Sequence, residues 1–105
     1  MGYGMRGEIL SYALQQRVFA CGHQAVSVGA GTAAGSVQID VAGINKANDT
    51  ILVTFDINGQ VDIQYSSPIY VFTVTDGSHF TVDGNGIENI GAGAVTVFIN
   101  WAVLR

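Results

Sequence analysis

The alternation of apolar and polar residues runs at a period of two along most of this chain. In SVQIDVAG, residues 36–43, Val37, Ile39 and Val41 fall on one side, and Ser36, Gln38 and Asp40 on the other. That spacing predicts a strand with one buried face. After the turn GINKAND comes TILVTFD, where Ile51, Val53 and Phe55 alternate with Leu52, Thr54 and Asp56. Asn58-Gly59 suits the positive φ angles of a type I′ turn, and VDIQYS resumes with Val61, Ile63 and Tyr65 facing inward. The two runs predict a β-hairpin.

Ser66-Ser67-Pro68 then interrupts, because proline cannot donate to a ladder. IYVFTVTD is apolar on both faces, as expected of a central strand or one at an interface. Asp76-Gly77 turns the chain into HFTVD, GNGIENIGAG reads as a loop, and AVTVFINWAVLR closes the chain as a strand. Its residues Val95, Val97, Ile99, Trp101 and Val103 share one face, with Phe98 and Leu104 on the other. Val71, Phe98 and Leu104, each apolar on the side opposite the expected core, are candidate subunit contacts.

With a short strand at QAVSV, the pattern gives about seven strands with turns every 8 to 12 residues or so. The expected fold is all-β, an antiparallel β-sandwich of jelly-roll or immunoglobulin-like type. The first 23 residues do not follow this period. In EILSYALQQRVF, Ile9, Leu10, Ala13 and Leu14 fit one face of a short helix, which is marginal in isolation and needs a partner surface. Residues 1–23 therefore read as an extended or short helical arm, and residues 24–105 as the sandwich.

Composition supports sheet: Val and Ile number 23 against 4 Leu, with seven Thr. Only 11% of residues are charged, against roughly 25% in an average soluble protein, while 49% are hydrophobic. Such a chain is expected to cover surface against other subunits. No apolar run approaches the roughly 20 residues of a membrane-spanning helix, and the N-terminus is a poor match for a secretory signal. Net charge is −4, with Arg6 and Arg17 against Glu8 early on and acids dominating from Asp40 onward. Four Lys and Arg without a cluster give a nucleic-acid groove no footing.

Candidate chemistry is sparse. GAGTAAGSVQID, residues 29–40, is rich in glycine but leads into a strand, whereas a phosphate loop opens a helix and ends in Gly-Lys-Ser/Thr. Asp83, Asn85 and Glu88 offer oxygen ligands that weakly suggest calcium, yet turns use the same residues. Cys21, His23 and His79 fall one short of a closed zinc set. Cys21, His79 and an aspartate form the kind of trio that any small protein holds, and a lone Cys is commonly a buried hydrophobe. No cofactor is expected, and no enzymatic activity. The aromatics Tyr65, Tyr70, Phe72, Phe80, Phe98 and Trp101 also suit a glycan-binding face, although most lie on faces assigned to the core.

The succession GTAAGS, VQIDVAGINKANDTILVTF, SHFTVDGNG and VTVFINWAV resembles the small β-sandwich modules of tailed-bacteriophage virion proteins, of head-fibre, capsid-decoration and tail-fibre type. The resemblance covers about residues 25–105. It implies a structural protein of the virion, commonly a homotrimer, that docks on a capsid or tail protein through its N-terminal segment. Arg6, Ile9, Leu10, Leu14 and Arg17 are the attachment residues expected on that basis, with a host-surface glycan as the alternative partner.

Overall fold

The structure is a computed structural model and describes residues 17–105. It contains seven strands among those residues: β1 (Val18–Val28), β2 (Ala33–Asp40), β3 (Thr50–Asp56), β4 (Ile63–Tyr65), β5 (Tyr70–Thr75), β6 (His79–Asn89) and β7 (Val95–Leu104). They form two antiparallel sheets, one in the order β1-β7-β3, the other with β6 between β2 on one edge and β4 and β5 in line on the other. The sheets face each other as an antiparallel β-sandwich. Strands β1 to β4 alternate between sheets, as in a jelly roll; in the immunoglobulin arrangement the first two strands share a sheet. Of the expected arm, residues 18–23 belong to β1, so the sandwich begins earlier than residue 24.

The core lies between the central strands. Phe80, Val82 and Ile87 of β6 meet Val97, Ile99 and Val103 of β7, each fully buried. Val26 and Val28 of β1, Ile39 of β2, and Val41 and Ile44 of the following turn complete it. Trp101 packs edge-on to Phe80, ring centres 5.9 Å apart, and lies under Gly22, where an added Cβ would sit 3.0 Å from the indole. The alternations of β2, β3 and β7 place their apolar residues inward, as the period of two predicts.

The expected hairpin between TILVTFD and VDIQYS does not form. The turn itself does: Asn58 and Gly59 have φ of 56° and 71°, and the Gln60 N–H donates to the Ile57 carbonyl at 3.0 Å. It carries the chain across to the other sheet, since β3 pairs with β7 over seven registered positions and β4 pairs with β6. The local preference sets the turn, while long-range pairing with an apolar partner strand decides which sheet each run joins. Val61, expected inward, is consequently 91% exposed. Tyr65 is more than half exposed, although its ring stacks on Phe55.

Two further differences arise from bulges. Strand β5 lies at a sheet edge, paired with β6 alone among the described residues. A register shift between Val71 and Thr73 turns Phe72 out to 62% exposure and leaves Val71 packed against the core, opposite to the side expected for a subunit contact. Residues 84–89, expected as part of a loop, lie within β6. Between Gly84 and Glu88 this strand gains two residues relative to β2, and within that irregular stretch Gly86 and Ile87 are buried in succession, so its inward positions change from Phe80 and Val82 to Ile87 and Asn89. Gly84 and Gly86 permit this, because a Cβ at Gly84 would lie 2.8 Å from the Gly35 carbonyl oxygen and one at Gly86 would fall on that of Ser67.

Asn89 is the buried polar side chain of the core, 1% exposed. Its amide donates to the carbonyls of Val28 (2.9 Å) and Gly93 (2.8 Å), and its Oδ1 accepts the Gly91 N–H (2.9 Å). Asn89→Leu would orphan all three groups at roughly 1–3 kcal/mol for each that stays dry, so a loss of at least about 2 kcal/mol is expected in urea denaturation. Gly86→Ala should cost about 1–3 kcal/mol through overpacking. Gly93→Ala, with nothing within 4 Å of the added Cβ, should stay within about 0.5 kcal/mol of the parent.

Candidate functional site

Adjacent residues of a strand point to opposite faces, so each sheet presents an outer surface made of the positions between its core residues. On the three-stranded sheet, the register sets Ala25 beside Phe98, Cys21 and Leu52 beside Ala102, and His23 and Thr54 beside Asn100. Asp56, next to Phe98, is the charged residue in these rows. His23 packs against Phe98 with ring centres 5.0 Å apart, and Leu52 is 51% exposed. A shallow depression of about 210 Å³ lies between Leu52, Thr54, Asn100, Trp101 and Ala102. This surface is nearly free of charge on a chain of net charge −4. Phe98 belongs to it, on the side that the alternation predicts, while Leu104 at its end is buried to 7% exposure. Leu52 was the signal within the sequence, an apolar residue at a position where its strand otherwise carries Thr54 and Asp56.

The outer surface of the other sheet is polar. Gln38 and Thr81 pair across strands, Thr73 and Thr81 share a hydroxyl contact of 2.6 Å, and Ser36 and Tyr70 flank Asp83. The Tyr70 hydroxyl donates to Asp83 Oδ2 at 2.8 Å, and the Asn85 N–H donates to Oδ1 at 2.9 Å. The backbone bond from Asn85, followed by that from Tyr70, holds the Asp83 carboxyl below the usual range; the same carboxylate pushes the Tyr70 phenol up. The rings of Tyr70 and Phe72 stay more than half exposed beside this pair.

The remaining candidates are dispersed. Cys21 is exposed on the outer surface of β1 and not a buried hydrophobe. His79 projects from the outer surface of the opposite sheet, with Nδ1 2.8 Å from the Ser78 hydroxyl. The core lies between them, which separates both the nucleophile trio and the zinc set. Asp83 and Glu88 lie on either side of the β6 bulge, and the Glu88 carboxylate accepts the Ser66 hydroxyl at 3.2 Å. Among the described residues no three His, Cys, Asp or Glu side chains gather closely enough to hold a metal ion.

The glycine stretch folds as a turn between sheets: Thr32 donates to the Gly29 carbonyl through its N–H (3.1 Å) and its hydroxyl (2.7 Å), with Gly31 at φ 71°. An open cleft of about 330 Å³ beside it is lined by Gly31 to Ala33 and Glu88 to Ile90. The N–H of Gly31 there already donates to the Asn89 carbonyl at 2.8 Å, so it does not converge on an anion. Of the attachment residues, Arg6, Ile9, Leu10 and Leu14 lie outside the described residues; Arg17 is exposed, and its carbonyl accepts the Arg105 N–H at 2.8 Å.

Arg105 forms a clasp at this end. Its guanidinium makes a two-point bond to Asp49, Nε–Oδ1 2.9 Å and Nη2–Oδ2 3.1 Å, donates to the Gly43 carbonyl, and lies 3.6 Å from the Phe19 ring centre. The bond from Arg105, aided by the Asn45 N–H, holds the Asp49 carboxyl below the ordinary range. A carboxylate with a lower pKa when folded adds stability that is complete above the unfolded value of about 3.9. That contribution is lost as pH falls through the folded value. Asp49→Asn should therefore melt lower than the parent at neutral pH, and the gap should narrow on acidification below about pH 4. Thermal melts of both proteins across that range check the sign; a gap that widens in acid contradicts it.

No family model, curated protein or solved structure matches this chain.

Proposed function

We propose that this chain is a non-enzymatic structural subunit that self-associates within a larger assembly, a virion decoration or fibre protein of the kind its sequence resembles. The observation that supports this most is the outer surface of the β1-β7-β3 sheet, with Leu52 and Phe98 and with Asp56 as the charge in its rows, on a chain whose body is acidic. Copies of a net-negative protein repel one another everywhere except where the charges are missing. Jelly rolls also recur as viral capsid domains. In this reading Arg6, Ile9, Leu10, Leu14 and Arg17 of the leading segment attach the subunit to a capsid or tail protein.

A second reading, a glycan-binding module, is favoured by one feature: the exposed rings of Tyr70 and Phe72 beside the Asp83 carboxylate. An aromatic face flanked by fixed oxygen acceptors suits a sugar, and jelly rolls also serve as lectin domains.

Light scattering on the full chain separates the two. The structural reading expects a mass above one chain that falls on dilution. It also expects association to strengthen with salt from about 0.01 M to about 1 M, as the Debye length shrinks from about 30 Å to about 3 Å and screens the like-charge repulsion. A single-chain mass at every concentration and salt overturns it. The glycan reading expects a hit on a glycan array that Tyr70→Ala abolishes.

A further inference from the structure

Among the described residues, the four edges of this sandwich are not equally protected. The edge formed by β4 and β5 is interrupted at Ser66-Ser67-Pro68 and bulges at Phe72. Strand β2 is kinked where Gly35 adopts φ 68° and ends in Asp40. Strand β3 has seven residues and ends in Asp56. Breaks, bulges, short length and charge are the devices by which sheets avoid pairing with other chains.

Strand β1 has few of them. It spans eleven residues, VFACGHQAVSV, without a charge or a proline, and its register with β7 is regular from Ala20 to Val28. Among the described residues its other edge has no partner. Alternate backbone N–H and C=O groups along such an edge face outward, ready to pair. Its outer side chains Cys21, His23, Ala25 and Ser27 are all exposed.

We propose that β1 is a self-pairing edge: two copies of this chain join antiparallel along it, about a two-fold axis at His23, and merge their three-stranded sheets into one of six strands. The choice of partner follows from charge. A second copy carries the same net −4, and β1 brings no acid against another. The register follows from overlap, because an axis at His23 pairs all of 18–28 with itself, placing His23 opposite His23 of the second copy and Cys21 opposite Ala25. Directly opposed residues share a face, so the two outer surfaces, nearly free of charge, become continuous. Such an isologous contact closes on itself and does not propagate. It predicts two chains, or multiples of two, in place of the trimer that the virion resemblance implies.

This pairing rests on the self-association reading above, and charge exchange at the axis tests it separately. In His23→Glu, and likewise in His23→Lys, each dimer would oppose two like charges, and the dissociation constant by light scattering should rise about two- to fivefold. An equimolar mixture of the two variants should restore a two-chain species at least as stable as the parent's, which also shows that both variants fold. Undiminished association of each variant alone, or a mixture no tighter than its components, overturns the β1 pairing while leaving self-association intact. A parent chain that is monomeric throughout removes both.

Discussion

The Asn89 side chain is the point at which the two layers are tied. Located at the end of β6, it bonds to the end of β1 in the opposite sheet through Val28, and to the connection toward β7 through Gly91 and Gly93. Its own N–H and C=O bond to Thr32 and Gly31, which orients the β1–β2 turn. One residue thus satisfies backbone groups from three chain segments that meet at this end of the sandwich. An apolar residue of the same size would fill the space and leave the buried Val28 carbonyl without its partner, which is the more expensive arrangement.

Asn89 can occupy that place only because β6 changes the side of its inward residues partway along. An unbroken alternation from Phe80 and Val82 would put residue 89 on the outer surface. The alternation breaks at the consecutive buried residues Gly86 and Ile87, within the irregular stretch between Gly84 and Glu88, and the glycines make room for Gly35 and Ser67 to approach. The polar run DGNGIEN is therefore a distorted strand, whose Asp83-Asn85 hydrogen bond supplies locally what the regular ladder lacks.

This explains how far the sequence was legible. Strands with uniform alternation, such as SVQIDVA and VTVFINWAV, show their buried faces directly, and with them the all-β class and the sandwich. Val71 and Asn89 were not legible, because a bulge inverts the meaning of every residue beyond it and leaves only Gly and Asn as a trace. Asn58-Gly59 specified its turn type correctly but not what the turn joins: local backbone preference fixes φ, whereas partner choice belongs to β7, some forty residues away by sequence. The candidate surface was partly visible in Phe98 and Leu52. The Tyr70–Asp83 pair required the pairing of β5 with β6, which no spacing reveals.

The acidity of the chain has a local explanation in the same structure. Asp49 accepts the Asn45 N–H, Asp56 that of Asn58, Asp76 that of Lys46, and Asp83 that of Asn85. These carboxylates close turns, strand ends and a bulge, where short side-chain acceptors replace missing backbone partners. Negative charge consequently accumulates where the chain changes direction, without any need for a cationic ligand. Strand β1 is long, nearly regular and enters its turn through Gly29, so it requires no such acceptor and carries no charge. The uncharged edge and the acidic body are two results of one rule, and together they leave that edge as the place where copies of the chain can approach with the least repulsion.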